Sequence, residues 1–141
     1  MRCADISPDG RTVVTAHADG TGALWSALSG ERLRTLHGHR RDVAWCSFSP
    51  DGALALTTSG DAEVRLWNAE SGECVRTLIG HRLRVKGAAF SPDSTRVVTA
   101  SLDGTIRVWS SETGACLKSM GDGDGIYMSA AFSPPPARGP Q

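Results

Sequence analysis

Residues 43–81 read VAWCSFSPDGALALTTSGDAEVRLWNAESGECVRTLIGH, and the same order of features stands 42 residues earlier and 42 residues later. The apolar run Val43-Ala44-Trp45-Cys46-Ser47-Phe48 stops at Ser49-Pro50-Asp51-Gly52, a strong turn signal. Ala53 to Thr58 is a second run, closed by Ser59-Gly60-Asp61. Glu63-Val64-Arg65-Leu66-Trp67 alternates with period two, as a half-buried strand does. After the turn Asn68 to Gly72, the segment 73–78 alternates again and ends at Gly80-His81. One period therefore predicts four short strands, rich in the β-branched and aromatic residues that suit a pleated surface.

The register holds along the chain. Ser7-Pro8, Ser49-Pro50, Ser91-Pro92 and Ser133-Pro134 are each 42 residues apart, as are Trp25, Trp67 and Trp109, and Asp19, Asp61 and Asp103. Residues 1–39 and 43–81 share 17 identical positions of 39 without a gap. The other strands are expected near 2–6, 12–17, 21–25 and 31–36 in the first copy. In the third they fall near 85–90, 95–100, 105–109 and 115–120. The repeats run over 1–39, 40–81 and 82–125. Residues 126–133 are expected to form the first strand of a fourth repeat, and 134–141 a Pro-rich disordered tail.

Four strands in a period near 42 fit one blade of a propeller. The chain resembles the WD-repeat β-propeller family from residue 1 to about residue 133. The motifs that carry the resemblance are Gly-His, Phe-Ser-Pro-Asp, Ser-x-Asp and a Trp closing the third strand. The family's usual Trp-Asp dipeptide is Trp25-Ser26, Trp67-Asn68 and Trp109-Ser110 here, with turn formers in the Asp place. The resemblance implies an all-β fold of four-stranded antiparallel blades and a non-catalytic scaffold for protein binding. Three repeats and one strand fall short of the roughly 4–8 blades of a closed ring. The incomplete ring implies a fragment of a longer protein or a subunit that pools its blades with other copies through open blade faces. Two alternative functions follow: a sensor or regulatory segment of a larger signalling or nucleotide-hydrolysing protein, and a structural subunit active only as an assembled ring.

Composition narrows the classes. The 141 residues carry fifteen Lys or Arg and fifteen Asp or Glu, and only Lys86 and Lys118 of the basic residues are lysines. A hydrophobic fraction of 40% suits a packed core, and zero net charge removes the global argument for nucleic acid. No apolar run reaches the roughly 18 residues of a membrane-spanning helix, and no membrane partner is expected. Without a signal-type stretch, a cytoplasmic location with reduced thiols is expected. Cys3, Cys46, Cys74 and Cys116 form no CxxC pair, and the equivalent Cys74 and Cys116 are expected to be half-buried packing residues.

His39, Ser59 and Asp61, and again His81, Ser101 and Asp103, have the residue types of a hydrolase triad. Each set recurs in register with a Trp, which an active site does not need. The resemblance implies structural tetrads instead: His39-Ser59-Asp61-Trp67 and His81-Ser101-Asp103-Trp109. The first copy keeps Asp19 and Trp25 but has His17 in the Ser place, so its network is expected to be partial. No catalytic residue, cofactor site or metal set is expected; His37-x-His39 with Cys46 lacks a fourth ligand.

The resemblance also implies a partner-binding face near the first strand and the turn between the second and third. The matching positions are Arg2, Asp42, Ala44, Arg84 and Lys86, with Ala18, Gly60 and Leu102 before the tetrad Asp residues. Arg40, Arg41 and Arg82 add positive charge nearby, so the expected partner is a protein or peptide, acidic or phosphorylated.

Overall fold

The computed structural model describes residues 3–121, and everything below concerns those residues. They form twelve strands in three antiparallel sheets, each in simple sequence order. The first sheet holds β1 (Cys3–Ile6), β2 (Thr12–Ala16), β3 (Gly22–Ser26) and β4 (Arg32–Leu36). The second holds β5 (Val43–Phe48), β6 (Leu54–Ser59), β7 (Val64–Asn68) and β8 (Cys74–Leu78). The third holds β9 (Val85–Phe90), β10 (Arg96–Ser101), β11 (Ile106–Ser110) and β12 (Cys116–Met120). These strands fall within about a residue of the expected ones. Arg2, the strand expected at 126–132 and the Pro-rich tail lie outside the described residues. No helix among the described residues is long and apolar enough to cross a membrane.

The Ser-Pro-Asp turns recur in atomic detail. Ser7, Ser49 and Ser91 each donate Oγ–H to the Asp two residues on, at 2.6 Å. The same oxygens accept the N–H of Thr12, Leu54 and Arg96, which opens the next strand. The final turn residue has positive φ in every copy: Gly10, Gly52 and Ser94. The turn from β6 to β7 needs positive φ as well, and there Ala62 (φ 70°) stands where Gly20 and Gly104 stand in the other copies.

The core lies between neighbouring sheets. Val14, Leu24 and Leu36 of the first meet Val43, Cys46, Phe48 and Trp67 of the second. One period on, Leu56, Leu66 and Leu78 meet Val85, Ala88, Phe90 and Trp109. The middle sheet thus offers one apolar face to the sheet before it and another to the sheet after it. Within it β6 is buried along nearly its whole length because both of its faces are covered, while the outer β8 is largely exposed. Hydrogen bonds tie the sheets at the same seams: Phe48 N–H donates to Asp5, and Asp51 N–H to Ser94 Oγ. Ile6, which occupies the position of the buried Phe48 and Phe90, is 55% exposed on the outer face of the first sheet.

Cys74 and Cys116 are exposed rather than half-buried, because β8 and β12 are edge strands. A guanidinium from the adjoining strand reaches each sulfur: Arg65 donates to Cys74 at 3.7 Å and Arg107 to Cys116 at 3.8 Å. Cys46 is a packing residue in the first core, where burial drives its thiol pKa far above the ordinary range. All four cysteines are free.

Candidate functional site: histidine networks and a basic rim

Alternation along β6 puts Thr57 and Ser59 on one face, two residues apart. Both hydroxyls are on the side from which His39 approaches, but only one meets it. Thr57 Oγ1 lies 2.7 Å from His39 Nε2 and accepts the indole N–H of Trp67 at 2.8 Å. His39 Nδ1 lies 3.1 Å from Asp61. A carboxylate only accepts, so Nδ1 carries the proton. In the neutral ring Nε2 then accepts from Thr57, whose oxygen also receives the Trp67 N–H. Burial, the largest influence, pushes the His39 pKa below 6.5 against the upward pull of Asp61.

The third repeat repeats the chain: Trp109 to Thr99 at 2.9 Å, Thr99 to His81 at 2.6 Å, His81 to Asp103 at 3.0 Å. Its imidazole pKa is lowered by burial too, opposed by the bond to Asp103. Burial by itself would raise the pKa of Asp61, but the N–H groups of Arg40 and Glu63, with His39, outweigh it and hold the carboxyl low. At Asp103 burial is likewise overcome, here by Thr105, the Arg82 N–H and His81.

These bonds correct the expected membership of the tetrads. Ser59 and Ser101 are not the linking hydroxyls; Thr57 and Thr99 are. Ser59 stands at the end of β6, where its Oγ donates to the Arg41 carbonyl and accepts the Asp61 N–H. Ser101 does the same with the Leu83 and Arg84 carbonyls and the Asp103 N–H. Each serine pins the loop before the first strand to the turn after the second. The clue stood in the sequence: Thr15, Thr57 and Thr99 share the 42-residue step.

The first repeat builds part of the network from a different histidine. Trp25 N–H donates to Thr15 Oγ1 at 2.9 Å, and His17 Nε2 lies 2.7 Å from the same oxygen. His17 supplies the imidazole from within the β2–β3 turn, while Asp19 accepts from the N–H and hydroxyl of Thr21. Trp25 is half-buried, and Arg32 stacks over its ring at 4.8 Å.

Neither constellation offers a nucleophile. The hydroxyls bonded to His39 and His81 belong to fully buried threonines, and both serines are committed to backbone. His39, Asp61 and Glu63 bring ligand-type atoms within 4.8 Å of one another. A cation there would have to strip the proton from Nδ1 and break Glu63 from Arg65, 3.1 Å away. The set is a hydrogen-bond network rather than a donor shell.

The proposed partner face is more tightly knit than its sequence suggests. The loop before β5, the loop before β9 and the β6–β7 and β10–β11 turns lie at one end of the sheets. Gly60 N–H donates to the Asp42 carbonyl, and Leu102 N–H to the Arg84 carbonyl. Arg84 grips Asp42 with two parallel bonds of 2.8 Å, joining the third repeat to the second. The bond to Asp42 raises the Arg84 pKa. Gly60 makes room for the pair, since a Cβ there would lie 2.8 Å from both Arg84 Nη2 and Asp42 Oδ1. Arg84 is therefore a clasp between repeats, not a free cation paired with Lys86. Val85 is fully buried, and Lys86, Ala44 and Leu102 are half-buried, while Ala18 is exposed.

Beside the clasp lies a recess of about 460 Å³ lined by Arg40, Arg41, Arg82 and Arg84, with Gly60 and Leu83 among its walls. Arg41 and Arg82 are exposed and make no ion pair among the described residues. Arg40 reaches Glu63 only at 3.6 Å, with its side chain 78% exposed.

Three four-stranded sheets, two of them carrying a His-Asp-Thr-Trp network, agree with the sequence profile described as "WD domain, G-beta repeat", which matches residues 1–26, 30–68 and 72–110. The chain belongs to the WD-repeat family. Over 48 residues it is 44% identical to proteins named Proteasomal ATPase-associated factor 1 from Bos taurus, Gallus gallus and Homo sapiens. That stretch is 34% of this chain and 12% of each relative, so the likeness touches about an eighth of their length. WD repeats mediate protein interactions, which agrees with the scaffold role expected from the sequence.

Proposed function

We propose that the chain is a non-catalytic scaffold whose protein partners dock on the rim carrying the Asp42–Arg84 clasp, and that those partners present an acidic or phosphorylated segment. The observation that supports this most is the recess beside the clasp, where Arg41 and Arg82, without counter-ions among the described residues, stand on loops pinned by Ser59 and Ser101. A rigid sheet presenting loop side chains is the usual arrangement for recognition. The test is crosslinking. A photoreactive residue at Ala44, Lys86 or Leu102 should capture a binding partner. The same probe at Arg11, Asn68 or Ser110, at the other end of the sheets, should not. Capture only from the second set refutes the choice of face.

A second reading is favoured by the 44% identity to the ATPase-associated factor over 48 residues. In it the chain is a regulatory segment that attaches a longer protein to a nucleotide-hydrolysing assembly. Direct titration against purified proteasomal ATPase subunits tests it, and no binding at micromolar concentration refutes it. Self-association belongs to the same proposal. Ile6 and Met120 are 55% and 40% exposed at positions equivalent to the buried Phe48 and Leu78, so outer faces can meet as inner ones do.

A further inference from the structure

We propose that the recess between the second and third repeats is a phosphoryl site, seating one phosphorylated side chain of a bound peptide between Arg41 and Arg82. This rests on the rim reading above and narrows it from acidic segments in general to a phosphate dianion.

The charge around the recess carries the argument. Arg84 is spent on Asp42 through two 2.8 Å bonds. Arg40 is drawn loosely toward Glu63. Asp61, the other carboxylate on the wall, already accepts from His39, the Arg40 N–H and the Glu63 N–H. Every carboxylate at the recess is therefore engaged by groups other than Arg41 and Arg82, and those two guanidinium forks face the space with positive charge in surplus.

An exposed arginine gains little from one carboxylate, because water competes and the side chain must be held still. A phosphate monoester carries close to two charges and three acceptor oxygens, enough for two forks at once. The frame is stiff where it matters. The carbonyl of Arg41 holds Ser59 Oγ, and the N–H of Arg82 is bound to Asp103 at 3.0 Å. Both backbones are thus fixed, Arg41 by the Ser59 hydroxyl and Arg82 by the aspartate of the His81 network. Leu83, between Arg82 and Arg84 and 53% exposed, offers an apolar wall for the residue beside the phosphorylated one. The recess is large enough for the group and its flanking backbone.

The test uses three oriented peptide libraries of one design, with a fixed central phosphoserine, Ser or Glu, and fluorescence anisotropy on the full chain. The phosphoserine library is expected to bind at least tenfold more tightly than either of the others. Arg41→Gln and Arg82→Gln should each weaken it about tenfold, the scale of one charge-assisted bond. Arg11→Gln, in the β1–β2 turn at the other end, should leave it unchanged. Inorganic phosphate in excess should displace the peptide. Unchanged melting of Arg41→Gln and Arg82→Gln shows that a loss is not unfolding. Equal binding of the Glu and phosphoserine libraries, both lost in the variants, overturns the phosphoryl site and leaves the acidic-partner reading standing. Binding of the phosphoserine library no tighter than the Ser library, or indifferent to both variants, overturns it as well.

Discussion

Thr57→Val is the sharpest perturbation of this structure, because it keeps the shape of the side chain and removes one hydroxyl. Thr57 is fully buried. Its oxygen accepts from Trp67 and its proton goes to His39 Nε2, so the change leaves one donor and one acceptor unpaired in the core. Each such group costs about 1–3 kcal/mol. The gain from burying an added methyl in place of the hydroxyl offsets about 1 kcal/mol. The net expectation is a loss of about 1–5 kcal/mol, centred on roughly 10 °C in melting temperature for a domain of this size. Thr99→Val should cost as much, since Trp109 and His81 are equally buried. Thr15→Val should cost less than half, because Trp25 and His17 are half-exposed and water can replace the lost bonds. Urea unfolding followed by tryptophan fluorescence measures all three. Pairing Thr57→Val with Trp67→Phe in a double-mutant cycle isolates the bond itself. A loss below 1 kcal/mol at Thr57, or equal losses at the three threonines, refutes the account.

Three further outcomes are expected. Ala62→Gly should stabilise by about 0.5–1 kcal/mol, because Ala62 holds φ 70° at a cost of roughly 1–2 kcal/mol that the extra chain entropy of Gly only partly cancels. A fall in urea midpoint contradicts this. Stability should decline as pH drops below about 6.5, where the unfolded chain takes up protons that buried His39 and His81 refuse. It should decline again below about 3.8, as Asp61 and Asp103, held low when folded, are forced to protonate. A melting temperature flat from pH 7 to pH 4 would overturn the neutral-imidazole assignment. Gly60→Ala and Arg84→Gln should each open the Asp42 clasp and cost about 1–2 kcal/mol, with no further loss when combined; additive losses in chemical denaturation would show that Gly60 does not act through the pair.

Strand positions were legible because they are local: alternation, Ser-Pro-Asp-Gly turns and a 42-residue step need only neighbouring residues. The histidine, aspartate and tryptophan of each network were legible for the same reason, as fixed offsets in a repeat. The linking hydroxyl was not. Thr57 and Ser59 share a face, and only the distance to Trp67 across β7 decides between them. His17 in the serine position suggested a gap in the first network, yet in space its ring reaches Thr15.

What the sequence determined by itself was the blade: four strands, their turns and the faces they bury, because each follows from backbone geometry and side-chain alternation within about forty residues. What the tertiary structure alone decided was which cations are free. Asp42 and Arg84 lie one full period apart, and only the packing of the second sheet on the third brings the carboxylate into the guanidinium fork. That contact turns an apparent binding residue into a strut between repeats and leaves Arg41 and Arg82 as the charge on the rim. Coulomb attraction depends on distance in space, and spacing along the chain carries that distance only inside a repeat.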